Sequence, residues 1–216
     1  MALSFPLSLP EFFDSLPVSR VTFRVGRSVT FSETGAGERI AHSRGSRLWG
    51  GQIVLDKDTH AVWAAIEARL ALLEEPGASF LLRDPRMSGP IADPAKILLG
   101  GAAPVISSVS ANMRELELSG LPVGYVISQG DYLGFEYGSN PVRYAFHRVV
   151  TGATASGTGR AADIEVTPYI RLGAQIGAPV TLGNPVLKAT IAEAEYGASR
   201  AVISQGGSLD WVQTLR

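Results

Sequence analysis

Glycine and proline divide this chain into short segments, and the residues between them are rich in Val, Ile, Thr, Tyr and Phe. The 24 glycines and 13 prolines exceed the needs of a helical protein, and such punctuation is typical of strands joined by turns. In the first such segment Val21, Phe23 and Val25 alternate with Thr, Arg and Gly, which places one face of a strand on a core. The sequence therefore predicts a mainly β protein.

One segment departs from this pattern and predicts an amphipathic α-helix at about residues 58–75. Its large apolar residues recur at spacings of three and four and form a stripe that can lie across a sheet. They are Trp63, Ile66, Leu70 and Leu73. Asp56 or Asp58 is the expected N-cap, and Pro76 followed by Gly77 is expected to end the helix.

The distribution of prolines predicts two domains. A cluster from Pro76 to Pro94 marks a domain edge or a long loop, and a meander of short strands with a tight turn at Gly138–Pro141 follows it. This meander indicates a small barrel or sandwich of about five strands, OB-like or galectin-like. The end of the chain has strand character but too few strands for its own sheet. We predict a discontinuous β-sandwich-like domain at 1–97 with 178–216, and an inserted domain at 98–177.

Composition excludes several classes of function. The absence of cysteine removes disulfide scaffolds, thiolate zinc sites and cysteine nucleophiles. The 19 basic and 20 acidic residues are scattered, so that no like-charged run forms a footprint for nucleic acid or an anionic membrane. The apolar N-terminus lacks the basic start of a secretory signal, and no apolar run is long enough to span a bilayer. We expect a soluble protein synthesised in the cytoplasm, without specific nucleic-acid binding or membrane insertion.

Two segments come near catalytic motifs but lack the rest of each motif. In GATASGTGRAAD, at Gly152–Asp163, the glycines are followed by arginine and a strand. A phosphate loop requires Lys followed by Ser or Thr, and then a helix. In AHSRG, at Ala41–Gly45, Ser43 stands near a nucleophile-elbow pattern, but a strand follows where a helix is required. Besides the adjacent His42, the chain offers His60 and His147 as bases.

Histidine and carboxylate spacings do not indicate a metal site. The three histidines lie too far apart for one element to present two of them. Carboxylates two residues apart share one face of a strand, which suits a calcium or glycosidase pair but is also common on solvated faces. These pairs are Asp163 with Glu165 and Glu115 with Glu117. We predict no catalytic residue, no cofactor and no metal ligand.

Several motifs resemble tail proteins of long-tailed phages and of phage-derived gene transfer agents. They are a Gly-Asp-aromatic-Leu strand at Gly130–Leu133, a Tyr-x-x-His-x-Val strand at Tyr144–Val149, a small-residue hairpin, and an Ile-x-Val-x-Pro-x-Ile-Arg strand at Ile164–Arg171. The first half of the chain has a Trp-Gly-Gly strand, one amphipathic helix and the segment FLLRDPRMSG. This half is similar to the distal tail protein of such particles.

The resemblance implies a structural virion protein without enzymatic activity, located at the tail tip and synthesised in the bacterial host. It implies a closed ring, typically a homohexamer, that joins the tail tube to the tail-tip hub or baseplate while DNA passes through the lumen. The implied partners are other copies of the chain, the tail tube protein and the hub protein, with side fibres or a receptor-binding protein as further candidates. A chain without basic runs suits such a lumen, because each phosphate contact adds affinity for DNA.

Two regions are predicted to form the assembly interface of such a ring. The first is the apolar N-terminal segment with Phe5, Phe12 and Phe13, for which burial in an ordinary core is the alternative. The second is the tip of the small-residue hairpin, for which a flexible solvent loop is the alternative. Its residues are Thr151, Gly152, Ser156, Gly157 and Gly159.

A rival hypothesis is a hydrolase or a carbohydrate-binding module of a phage tail tip. The hydrolase would use Ser43, and the sugar site would lie on the inserted domain. Both need a pocket on which polar side chains converge, whereas a ring subunit needs surfaces that fit neighbouring copies.

Overall fold

The computed structural model describes residues 3–198 and 202–216, which form short strands and one α-helix. The mainly β class predicted from the sequence is confirmed. A 3-10 helix covers Phe13–Ser15, and helix α1 covers His60–Leu73. The strands are β1 Val18–Val21, β2 Arg24–Val25, β3 Val29–Glu33, β4 Arg39–Ser43, β5 Trp49–Leu55, β6 Asp58–Thr59, β7 Phe80–Leu82, β8 Val105–Val109, β9 Glu115–Ser119, β10 Val126–Ile127, β11 Tyr132–Tyr137, β12 Arg143–Thr151, β13 Ala153–Thr154, β14 Ala161–Thr167, β15 Val180–Thr181, β16 Leu187–Glu195, β17 Ile203–Ser204 and β18 Ser208–Gln213.

Two six-stranded antiparallel sheets form the body of the molecule. Sheet I has the order β1-β5-β18-β16-β7, with β2 also pairing with β5, and sheet II has the order β15-β11-β12-β14-β9-β8. Sheet I takes its strands from residues 18–82 and 187–213, whereas sheet II takes its strands from residues 105–181. Strand β15 therefore belongs to sheet II although it lies beyond residue 177, the predicted end of the inserted domain.

Sheet II curls until its two edge strands meet. The N–H of Val180 donates to the carbonyl of Pro104 at 2.8 Å, and the N–H of Ile106 donates to the carbonyl of Ala178 at 3.0 Å. These bonds join the start of β8 to β15 and close the sheet into a small barrel. Its interior is filled by one apolar cluster that includes Ile106, Leu133, Phe135 and Ile164. Closure leaves fewer free strand edges on this part of the molecule.

Helix α1 covers sheet I with the stripe that the sequence predicts. Trp63, Ile66, Leu70 and Leu73 are all buried in the same cluster as the sheet I residues. The N-cap, however, is Thr59, and its side chain makes no capping hydrogen bond, so the prediction of Asp56 or Asp58 is wrong. The physical reason is that β6 pairs with β17, which holds residues 58 and 59 extended until the helix begins at His60.

Sheet II rests on sheet I through an aromatic junction. Side chains alternate along β12, so that Phe146 points to sheet I while Ala145 and His147 face the barrel. The indole N–H of Trp49 on β5 donates to the carbonyl of Phe146 at 2.7 Å, and the two rings meet edge to face at 5.2 Å. The ring of Tyr132 on β11 packs at a tilt against Phe146, with ring centroids 4.8 Å apart. The junction therefore combines apolar burial with a directional hydrogen bond.

A buried carboxylate extends this junction. Asp84 is 5% exposed, and its oxygens accept hydrogen bonds from the Arg86 guanidinium at 2.6 and 2.8 Å and from the Tyr132 hydroxyl at 2.9 Å. Burial acts to raise the pKa of Asp84, but these bonds and the Arg86 backbone N–H together hold that pKa below its usual value. Arg148 donates to the same Tyr132 hydroxyl and lies over the ring. The loop after β7 is thereby tied to sheet II.

His147 is a second buried titratable group, and it faces the barrel core. Its Nδ1–H donates to the carbonyl of Pro168 at 2.8 Å, and its ring stacks on Phe135 at 5.6 Å between centroids. Its Nε2 has no hydrogen-bond partner among the described residues. Burial lowers the pKa of His147 to about 4, the Pro168 carbonyl opposes this, and the charge of Arg171 adds to it. The neutral imidazole is therefore the folded form.

This burial predicts a pH-dependent stability. Below about pH 6.5 an unfolded histidine takes up a proton, whereas folded His147 stays neutral until about pH 4. Stability from this group is complete above about pH 6.5 and falls by on the order of 3 kcal/mol as the pH drops to about 4. Urea unfolding at several pH values measures the slope, and His147→Gln should remove this component. Equal slopes for the wild-type protein and His147→Gln would contradict the prediction.

Candidate assembly surface

The three phenylalanines of the N-terminal segment are divided between core and surface. Phe12 and Phe13 are 0% and 4% exposed, and the ring of Phe12 meets that of Phe80 edge-on at 5.0 Å. Both rings belong to the core cluster that α1 and sheet I share, so they offer no surface to a partner. Burial in an ordinary core, the alternative to an assembly role, therefore describes these two residues. Phe5 is 40% exposed, so it is the member of this set that a partner can contact.

The predicted hairpin tip at 151–159 is folded back onto the barrel. Strand β13 pairs with β10, and the N–H of Ala155 donates to the carbonyl of Tyr125 at 2.8 Å. The N–H of Leu121 donates to the carbonyl of Gly159 at 3.1 Å. This pairing differs from a flexible solvent loop. We call this folded-back segment, residues 151–159, the barrel ribbon. Thr151, Ser156 and Gly157 are exposed on it.

The other two glycines of this set allow close backbone approach. A Cβ on Gly152 would lie 2.1 Å from the carbonyl oxygen of Ile127, and a Cβ on Gly159 would lie 2.4 Å from that of Leu121. Gly159 also has a φ of 72°, which favours glycine. Their requirement for glycine is therefore internal to the fold. An assembly role for this segment rests on Thr151, Ser156 and Gly157, and it stays a prediction.

A second hairpin, which the sequence analysis did not single out, projects from the body. Strands β3 and β4 pair in register from Val29 opposite Ser43 to Glu33 opposite Arg39, and neither strand belongs to another sheet. All residues of both strands are exposed. We call β3, β4 and the connecting turn the hairpin arm. A two-stranded ribbon with both faces in water is marginally stable alone, so the arm favours a covering partner.

The hairpin arm carries apolar side chains on both faces. Val29 and Phe31 lie on one face and Ile40 on the other, and they are 38%, 42% and 41% exposed. The guanidinium of Arg39 lies over the Phe31 ring, 4.0 Å from its centroid. Exposed apolar side chains on a projecting element are typical of a protein interaction site.

The turn of the hairpin arm is acidic and internally hydrogen bonded. Glu33 and Glu38 flank it, and both are exposed. The N–H of Thr34 donates to the carbonyl of Glu38 at 2.9 Å, and the N–H of Glu38 donates to the Thr34 hydroxyl at 3.1 Å. Gly37 adopts a φ of 81°, so the tight turn requires glycine there.

At the other end of the hairpin arm lies a cleft of about 290 Å³, which we call the basal cleft. One wall comes from the two ends of the arm and the segment before β5, and the other from the segment after β14. Its lining residues are Ser28, Val29, Ser43, Gly45, Ser46, Arg47, Thr167, Pro168, Tyr169 and Arg171. The lining contains two guanidinium groups and hydroxyl groups, but no carboxylate among the described residues. The cleft is therefore suited to an anionic partner.

Backbone carbonyls hold the two arginines of the basal cleft. Arg47 Nε donates to the carbonyl of Gly26 at 3.1 Å, and Arg171 Nη2 donates to the carbonyl of Arg47 at 3.2 Å. The salt bridges found among residues 3–198 and 202–216 involve Arg83, Arg86 and Arg160, and neither cleft arginine takes part in one. Both guanidinium charges can therefore pair with an external anion.

Ser43, the candidate nucleophile, lies in the wall of the basal cleft. It ends β4, and the residues after it lead to β5, so the strand-turn-helix geometry of a nucleophile elbow does not occur here. Its hydroxyl is 3.4 Å from the N–H of Gly45. The described residues that line the cleft include no histidine and no carboxylate, so no general base lines the cleft beside Ser43.

The described part of the chain contains neither a cluster of metal ligands nor a membrane-spanning helix. No three His, Asp or Glu side chains there form a group that would hold a metal ion. Helix α1 has 14 residues, and the same part of the chain contains no helix with the length and apolarity for crossing a bilayer.

The sequence contained a signal for the hairpin arm and the basal cleft. When the chain is folded about Gly35–Gly37, Glu33, Glu38 and Arg39 fall at the turn, which is net negative, whereas Arg27, Arg44 and Arg47 fall at the open end. The net charge of the whole chain is close to zero and does not reveal that the two ends of the arm differ in charge. Pairing the strands before counting charges would have revealed the separation.

Comparison with known proteins adds no assignment. No family model matches this chain, and no curated protein shows significant similarity to it. Its function is therefore argued from the hairpin arm, the basal cleft and the resemblance in sequence motifs.

Two glycines of the barrel ribbon, Gly159 and Gly157, should respond differently to substitution by alanine. Gly159→Ala should lower the free energy of unfolding by about 1–3 kcal/mol, because the new Cβ meets the Leu121 carbonyl and the backbone has a positive φ. Gly157→Ala is the control, since a Cβ there meets no atom within 4 Å. Urea unfolding of both variants measures the difference. Equal free energies of unfolding for the two variants would contradict the close packing of the barrel ribbon on the barrel.

Proposed function

We propose that this protein is a structural subunit of a phage-type tail, namely a distal tail ring that joins the tail tube to the hub of the tail tip. The observation that carries the proposal is the hairpin arm, which is exposed on both faces and bears apolar side chains that no other described strand or helix covers. The motif resemblance to distal tail proteins supports the same role.

A closed ring accounts for an arm of this kind. In a ring, one surface of each copy meets a different surface of the next copy, so a projecting element on one side requires a receiving surface on the other. The hairpin arm is a projecting element, and contact with a neighbour would cover its free strand edges and apolar side chains. An isolated monomer would leave both exposed to non-specific aggregation.

The charge of the chain suits passage of DNA through such a ring. The formal charge is -1, and the arginines of the basal cleft lie at the base of the hairpin arm together with serine hydroxyls. Affinity for DNA rises with each phosphate that a protein neutralises, so a tube that conducts DNA must avoid many such contacts. Arginines used in contacts between copies would not be available to DNA.

The proposal predicts oligomerisation through the hairpin arm. Purified protein at high concentration should sediment as closed rings, alone or with tail tube and hub proteins, and electron micrographs should contain rings with a central opening. Phe31→Ser with Ile40→Ser should weaken each contact by about 2 kcal/mol, or roughly thirtyfold, because two half-exposed apolar side chains no longer become buried.

The control for this variant is Val123→Ser, which removes a 72%-exposed apolar side chain on the barrel and should leave rings unchanged. A protein that stays monomeric at high concentration and binds neither tube nor hub protein would contradict the proposal.

The hydrolase hypothesis gives a separate prediction at Ser43. Ser43→Ala should leave the rate of hydrolysis of test esters and glycans unchanged, because no general base lines the cleft beside this exposed hydroxyl. It should change the free energy of unfolding by no more than about 0.5 kcal/mol. Ser32→Ala on the same hairpin is the matched control. Wild-type turnover that is lost in Ser43→Ala and kept in Ser32→Ala would favour an enzyme.

A further inference from the structure

We propose that the acidic turn of the hairpin arm on one copy inserts into the basal cleft of the next copy and pairs with Arg47 and Arg171. This inference rests on the proposed ring, and it specifies which two surfaces meet. The copies would then be arranged head to tail, with the turn of each copy in the cleft of the next.

The first support is complementary charge. The turn presents Glu33 and Glu38 on exposed positions, and the cleft presents Arg47 and Arg171 without a carboxylate in its lining. Arginine binds carboxylates in paired, planar geometry, and water exclusion inside a cleft strengthens such contacts. Arg39 lies opposite Glu33 in the strand register and directs its guanidinium onto the Phe31 ring, so the two glutamates leave the turn with a net negative charge.

The second support is size and order. Between its glutamates the turn contains Thr34 and then Gly35, Ala36 and Gly37, so it is a narrow element able to enter a cleft of about 290 Å³. Its internal hydrogen bonds fix its shape before contact, which reduces the entropy lost on docking. Tyr169, which is 56% exposed, lies in the wall that such small residues would meet.

The third support is that the contact cannot occur within one molecule. Each strand of the hairpin arm has five residues, so turn and basal cleft are separated by about 17 Å at roughly 3.4 Å per residue. The two surfaces therefore meet only between copies. Since they differ, the contact is heterologous and repeats around a ring.

The lack of cysteine makes a direct test possible. In Ala36→Cys with Ser46→Cys, one thiol lies on the turn and the other on the cleft wall, and the chain contains no other thiol. A disulfide requires Cα atoms within about 7 Å, so these two thiols cannot join within a molecule. Oxidation of assembled protein should produce a ladder of covalent multimers that ends at the ring.

Each single variant should yield no species larger than a dimer. Ala36→Cys with Ala68→Cys is the matched control, because Ala68 is exposed on helix α1 and lies outside the cleft. A ladder from this control equal to that of the test pair would overturn the inference.

Charge reversal tests the named side chains. Arg47→Glu with Arg171→Glu should reduce the ring fraction at least tenfold, and Glu33→Arg with Glu38→Arg should do the same. The chain that carries all four changes should recover rings, because the exchange restores opposite charges. Thermal unfolding and circular dichroism confirm that the variants fold, and crosslinking gives a result that does not depend on these substitutions.

The outcomes separate this inference from the proposed function. Rings that persist in both reversal variants, without the cysteine ladder, would overturn the contact and leave the ring subunit standing. Wild-type protein that forms neither rings nor crosslinks in the presence of tail tube and hub proteins would overturn both. A ladder together with recovery in the fourfold variant supports both.

Discussion

The aromatic junction between the two sheets determines where every surface described above lies. The indole of Trp49 donates to the backbone of Phe146, so the barrel has a fixed position on sheet I. Arg47 precedes Trp49 by two residues, and His147, next to Phe146, binds the Pro168 carbonyl in the opposite wall of the basal cleft. Both walls of the basal cleft are thus attached to the contact between Trp49 and Phe146. Loosening the junction would separate Arg47 from Arg171 and open the cleft.

Local signals in the sequence predicted the elements that depend on neighbouring residues. The stripe from Trp63 to Leu73 was predictable because helix periodicity acts over a few residues. The N-cap was not predictable in the same way, because β6 is held extended by β17. Those strands are far apart in the chain, so no window around Asp58 contains the information. The barrel was predictable as a meander, while its closing bonds at Val180 depend on residues that return late.

The assembly surface was harder to predict because different structures use the same residue types. Glycines at 152 and 159 suggested a free tip, yet close backbone contact also requires glycine, and composition does not distinguish the two. Phe12 and Phe13 have the character of either a core or an interface, and the fold buries them. The alternation of Val29 and Phe31 is that of an ordinary half-buried strand. Their exposure follows from the missing third strand, which is a property of topology.

The separation of charge along the hairpin arm links its marginal stability to its proposed role. A ribbon without a packed face gains little from its own chain, so its free energy is lowered mainly by what covers it. If the turn and the basal cleft of successive copies meet, the contact covers part of the arm and fills the cleft in the same step. Exposed charges attract weakly in salt solution, whereas the same pairs inside a filled cleft are less screened. Contacts between two free copies would therefore be weak, and closing the ring would stabilise all of them together.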